Sequence, residues 1–192
     1  MIAVYIASVL KAGDSRGIYP KLRRSEIEGV SDVQLKQQKI SSWKLLEKAI
    51  ADSFGYTMRE LNFTKNGYGK WECDKVCFSI SHTKDAVAVA ISDTPVGVDM
   101  ESVEAFDKRH TEKLCEKILC PGESVADNLQ LLKLWTQKES IYKYLGSGAF
   151  VPNKICAKEH PVHTFLHDGY TVSVCGDKYD FPDICIKTLE IF

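Results

Sequence analysis

The chain has 192 residues, 44% hydrophobic and 27% charged, with 25 basic against 26 acidic side chains and a net charge of −1. That length buries a core in one domain or two small ones. The balanced charge excludes a general nucleic-acid or anionic-membrane binder but allows a local basic pocket. The longest apolar runs, such as AVAVAI at 86–91, are too short to span a bilayer.

At the start of the chain, Ile2, Val4 and Ile6 alternate with Ala3, Tyr5 and Ala7, which predicts a strand over 1–10. No basic n-region or cleavage site marks a signal peptide there, so a soluble cytoplasmic protein is expected. A loop with Gly13, Gly17 and Pro20 leads to a basic patch, KLRR, at 21–24. Val33, Leu35, Ile40, Trp43, Leu46 and Ile50 keep helical spacing, predicting a helix over 31–54 with Ser31 as N-cap and Gly55 as stop.

Residues 60–73 read as a strand and a turn, and 76–82 as another strand. The segments 85–92 and 95–101 read as an antiparallel hairpin joined at Asp93-Thr94-Pro95. Helices are expected at 108–119 and 128–146, and strands at 162–166, 170–174 and 184–190. The result is an α+β chain in two halves, 1–95 and 96–192, each with a long helix beside a mainly antiparallel sheet. A boundary near residue 95 puts an acidic strand at the join, where ligand clefts prefer to form.

Seven cysteines without a secretory signal fit the reduced thiols of a cytosol. Neither Cys73 with Cys77 nor Cys115 with Cys120 has C-x-x-C spacing, and the five histidines offer no matching pair. Small buried thiols are therefore expected in preference to structural zinc.

Three stretches carry candidate chemistry. In PVGVDME, 95–101, side-chain alternation puts Val96, Val98 and Met100 on a core face and Gly97, Asp99 and Glu101 on the other. The two acids then lie about 6–7 Å apart. Such acids repel unless the strand end is solvated or something positive lies between them. In LWTQKESIYK, 134–143, Glu139 and Lys143 are helical neighbours, which taken alone reads as a surface ion pair in preference to a site. In FSISHT, 78–83, Phe78, Ile80 and His82 share one side and Ser79 and Ser81 the other. His82, where the strand runs out, suits an anion donor or a hydrogen-bonded structural histidine.

In this order and at these separations, SISH, GVDME and WTQKESIYK resemble the Sfp-like 4′-phosphopantetheinyl transferases. Their signatures read approximately S-I-S-H-S, G-(I/V)-D-(I/V)-E and W-(T/S)-x-K-E-(A/S)-x-x-K. YGKW at 68–71 resembles a further motif, Y-G-K-P, with Lys70 as its lysine; the likeness spans about residues 36–150. It implies two similar subdomains related by a pseudo-twofold axis, usually in a monomer. The implied reaction moves the phosphopantetheine arm of coenzyme A to a serine of an apo acyl, peptidyl or aryl carrier protein and releases 3′,5′-ADP. No nucleic acid or membrane takes part.

By the same resemblance, Asp99, Glu101 and Glu139 hold Mg²⁺, with Mn²⁺ as a substitute, in an oxygen shell completed by substrate phosphates. Glu139 deprotonates the serine directly or through water, and Lys143 holds the pyrophosphate and stabilises the leaving nucleotide. Lys39, Lys70, Ser81 and His82 contact coenzyme A, with Lys39 matched to a family arginine that binds the 3′-phosphate. Arg23, Arg24 and Lys36 compete as further basic ligands. Trp71 replaces the motif's proline, Met100 replaces Ile or Val, and the C-terminus is shorter than in larger members. A catalytically silent coenzyme A or carrier-binding protein is the alternative, followed by a metal-dependent pyrophosphohydrolase.

Overall fold

The computed structural model describes residues 1–11, 17, 19–107, 111–177 and 184–190. Gly13 of the expected first loop and the first three residues of the helix expected at 108–119 lie outside the described residues. Among the described residues, no helix is long and apolar enough to cross a membrane.

Strand β1 (Ile2–Ser8) is central in a four-stranded sheet ordered β4-β5-β1-β9, formed with β4 (Cys77–His82), β5 (Ala86–Ser92) and β9 (Cys185–Thr188). β4, β5 and β1 pair antiparallel, and β9 returns from the end of the chain to lie parallel to β1. A second sheet, ordered β6-β8-β7, contains β6 (Gly97–Ser102), β7 (Val162–His167) and β8 (Tyr170–Cys175), all antiparallel. A short hairpin of β2 (Phe63–Lys65) and β3 (Trp71–Cys73) stands apart from both. The protein is thus α+β with mainly antiparallel sheets.

Period-two alternation assigns the layers. Ala3, Tyr5 and Ala7 of β1, with Val87, Val89 and Ile91 of β5, pack against Trp43, Leu46 and Ile50 of α2 (Val33–Phe54). The opposite faces, Ile2, Val4 and Ile6 with Ala86, Ala88 and Ala90, pack against Val98 and Met100 of β6 and Val172 and Val174 of β8. On the far face of the second sheet lies α5 (Asn128–Leu145). The order of layers is helix, sheet, sheet, helix.

Helix ends follow local chemistry. Asp32, one residue after the expected Ser31, caps α2 by accepting the Leu35 N–H at 2.8 Å, and Gly55 ends it in the left-handed conformation. Asp127 and Gly146 do the same for α5. The basic patch at 21–24 lies in α1 (Lys21–Glu28). α3 (Val103–Asp107) and α4 (Thr111–Ile118) occupy the connection between β6 and α5.

The expected hairpin of 85–92 with 95–101 does not form. Both edges of β5 are taken, by β4 and β1, so β6 leaves that sheet and starts the second one. Crossing over buries Val96, Val98 and Met100 between the sheets, which an in-plane hairpin could not do. The true hairpin is β4–β5.

Gly97 shows how tightly β6 is held. A Cβ there would meet the Ser140 carbonyl oxygen at 2.0 Å and the Tyr144 nitrogen at 2.5 Å, both backbone atoms of α5. Gly97→Ala must therefore push α5 off the sheet and is expected to lower stability by about 2 kcal/mol or more, read by urea unfolding. A change within 0.5 kcal/mol, the usual range of a neutral substitution, would show that this approach is not tight.

Candidate functional site

The site begins where the face of β4 meets the free edge of β6. Ser79 and Ser81 point out of β4 toward β6, where their hydroxyls accept the Val98 N–H at 3.0 Å and the Met100 N–H at 3.1 Å. Ser81 also donates to Asp99 Oδ1 at 2.9 Å. Both serines and Asp99 are buried. Ser81 therefore lies beneath Asp99 and fixes its carboxylate, while the serine pair satisfies edge N–H groups that would otherwise be buried without partners.

α5 supplies the other half. Its backbone at Ser140 and Tyr144 lies over Gly97, which brings the preceding residues, Glu139 and Lys143, alongside Asp99. Lys143 Nζ is 2.7 Å from Asp99 Oδ1 and 3.9 Å from Glu139 Oε2. Asp99 Oδ2 is buried and has no hydrogen-bond donor. The Glu139 carboxyl is pushed up to about 7, first by burial and then by Asp99, with Glu101 adding to the rise and Lys143 opposing it. One ammonium thus serves both Asp99 and Glu139, and near neutral pH a proton on Glu139 makes up part of the deficit.

A donor-free buried carboxylate oxygen beside a carboxyl with a raised pKa is what a hard, oxygen-seeking dication would relieve, so the residues fit such an ion. Asp99, Glu101 and Glu139 are not among the described side chains that converge in threes to within 4.8 Å. Lys143 stands in as the counter-charge in this arrangement.

Basic side chains border the acids. His82 lies at the exposed end of β4, beside a cleft of about 550 Å³ that Glu101, Gln38 and Thr83 also line. Its pKa is lowered, first by the protein packed about it and then by Lys143, Lys39 and Arg23. Lys39 on α2 is half-buried and also lowered, by desolvation and then by Arg23. Of the three competing basic residues, Arg23 is the buried one: it reaches the Lys39 carbonyl at 2.7 Å, lies over the Trp43 ring, and leaves its Nε without a partner. Arg24 is exposed and Lys36 half-buried.

Lys70 sits on the β2–β3 turn and donates to the Lys143 carbonyl at the C-terminal end of α5, a favourable place for a cation. Burial lowers its pKa. With Tyr68, Trp71, Phe78, Tyr142 and Lys143 it lines a second cleft of about 260 Å³. Trp71 packs edge-on against Trp43, ring centroids 5.1 Å apart.

Two roles escaped the sequence. Ser79 bridges the sheets; its alternation with Ile80 was visible, but nothing local shows that the serine face meets another sheet's edge. Lys138, beside Glu139, is fully buried and anchors the segment after α4 through Glu123.

Comparison with known proteins gives concordant results. Residues 95–181 match the family model described as the 4′-phosphopantetheinyl transferase superfamily. The 4′-phosphopantetheinyl transferase gsp of Aneurinibacillus migulanus is 34% identical over 169 residues, covering 77% of this chain and 71% of the relative. Those named ffp, of Bacillus subtilis, and Sfp, of Bacillus subtilis strain 168, are each 24% identical, covering 72% and 76% of this chain and 73% and 77% of their own.

The raised Glu139 pKa has a sign that can be tested. A carboxyl with a folded pKa above its unfolded value stabilises the protein at low pH, and that contribution is lost as pH rises through 7. In chelator, Glu139→Gln should therefore leave stability at pH 4 nearly unchanged and raise it at pH 8 by about 1–3 kcal/mol in urea unfolding. Equal effects at both pH values would mean that Glu139 titrates normally.

Proposed function

The chain belongs to the 4′-phosphopantetheinyl transferase superfamily, and from that premise we propose that it transfers the phosphopantetheine arm of coenzyme A to a serine of an apo carrier protein. The serine oxygen bonds to the pantetheine-side phosphorus, the bridging P–O bond of the pyrophosphate breaks, and 3′,5′-ADP leaves with the bridging oxygen. The observation that carries this reading is the join between β6 and α5: Lys143 between Asp99 and Glu139, with Asp99 Oδ2 lacking a donor.

Asp99, Glu101 and Glu139 are the side chains that would hold Mg²⁺, and the ion would supply positive charge to the pyrophosphate and to the leaving nucleotide. Glu139 receives the serine proton, directly or through water. Lys143, whose ammonium already reaches the acids, is positioned to hold a pyrophosphate oxygen and the charge left on departure.

Burial, and then Lys143, Lys39 and Arg23, lower the His82 pKa, burial and then Arg23 lower that of Lys39, and an anionic ligand would favour the charged form of both. The phosphates of coenzyme A are such a ligand. Lys70, held at the helix end, borders the smaller, more apolar cleft. Ser81 acts through Asp99 as a positioning residue. Reduced thiols and a carrier substrate suit a cytoplasmic setting.

Incubating several apo carriers with coenzyme A and Mg²⁺ should add about 340 Da to one or more and release 3′,5′-ADP, with EDTA stopping both. Folded enzyme that loads none of a broad carrier set would contradict the proposal, as would release of AMP or inorganic phosphate in place of 3′,5′-ADP. Lys143→Ala should lower kcat about 10²–10³-fold with a smaller change in KM, because its charge matters most as the nucleotide departs. A rise in KM alone would reduce Lys143 to a substrate anchor.

A further inference from the structure

Behind α5, away from the carboxylates, lies a second convergence of ligating side chains. Lys138 has no exposed surface, and its ammonium donates to the Ile118 carbonyl and Glu123 Oε2, each at 2.5 Å, and to Cys120 Sγ at 3.2 Å. Cys156 arrives from the segment beyond α5. One ligand atom each of Cys120, Glu123 and Cys156 lie within 4.8 Å of one another. Cys120 is buried, and Glu123 and Cys156 are half-buried.

We infer that Cys120, Cys156 and Glu123 form a site for a thiophilic divalent cation, Zn²⁺ by its chemistry, separate from the carboxylate site on the other flank of the helix. Two sulfurs and one carboxylate oxygen are a zinc-type ligand set and a poor one for Mg²⁺. Tetrahedral bonds of about 2.0–2.3 Å place ligand atoms roughly 3.5–4 Å apart, so small side-chain rotations close the observed group around an ion. Three protein ligands leave a fourth position for water, and Glu123 lines two open clefts with Gln137 through which water reaches it.

Charge supports the same reading. Without the ion, two neutral thiols accompany the Lys138–Glu123 pair, and the group is neutral. Binding one dication with release of two thiol protons leaves two thiolates, a carboxylate, an ammonium and the ion, again neutral. A half-buried site that is neutral in both states avoids the cost of an isolated buried charge. Lys138, already donating to Cys120 Sγ, then supplies the outer hydrogen bond that steadies a coordinating thiolate. The ion would tie the segments at 118–123 and 155–156 to the turn of α5 that carries Glu139, so its occupancy should raise thermal stability.

The test uses the full chain, stripped with chelator, kept reduced and titrated with Cd²⁺ or Co²⁺ in excess Mg²⁺. About one equivalent should bind with an ultraviolet sulfur-to-metal charge-transfer band, release of about two protons per ion and a rise in Tm. Cys156→Ser, at a half-buried position, and Cys120→Ser should each lose the band, while Cys73→Ser, remote from the site, should keep it. Circular dichroism verifies that the variants are folded. An undiminished band in folded Cys156→Ser would overturn the inference. So would absence of any band in the wild type, or the loss of two titratable thiols as a Cys120–Cys156 disulfide under these reducing conditions.

Discussion

Where α5 lies against β6 there is no room for a side chain, and Gly97 supplies none. The proposed chemistry depends on that contact. Two residues along the same strand face, Asp99 is brought against Glu139 and Lys143, side chains that follow from helical spacing once the backbone at Ser140 and Tyr144 is seated. A larger residue at 97 would lift the helix and separate groups whose distances of 2.7 and 3.9 Å define the site.

The opposite edge of β6 is held by hydroxyl groups. A strand that starts a new sheet beside an old one leaves N–H groups without a ladder partner. Ser79 and Ser81 meet those of Val98 and Met100. Ser81 then has its proton left for Asp99. Asp99 is thereby fixed from below by a hydroxyl and from the side by an ammonium, and one oxygen remains without a donor. In the proposed reaction that arrangement is a ground state awaiting more positive charge. The raised Glu139 pKa is the same deficit expressed as a proton.

Much of this was legible in the residues. Period-two alternation in β1 separates the face packed on α2 from the face packed on the second sheet, and in β6 it puts Val98 and Met100 opposite Asp99, because sheets packed on both sides leave little tolerance for a slip in register. The long helices announced themselves by spacing and by their terminal glycines. The sheet change after β5 was not legible: a three-residue turn between apolar strands looks the same whether the second strand pairs with the first or crosses to another layer. What decides is occupancy of both edges of β5 by β1 and β4, a non-local fact. Arg23 illustrates the same limit. Sequence offered it beside Arg24 and Lys36, and only packing over Trp43 distinguishes it as the buried cation. Cys120 and Cys156, 36 positions apart, form no spacing motif, yet the turn after α4 and the segment at 152–159 meet beside α5 and bring them together.

The proposed chemistry rests on one electrostatic state: a carboxyl at position 139 kept partly protonated by burial and by its acidic neighbours, which a bound dication would release. Carbon-13 NMR titration of the labelled Glu139 carboxyl, with chelator and then with Mg²⁺ and coenzyme A, reads that state directly. The account predicts a midpoint of about 7 in chelator that falls below 4.5 when the ion and substrate are bound. A midpoint near 4.5 in chelator, unmoved by Mg²⁺, would contradict it.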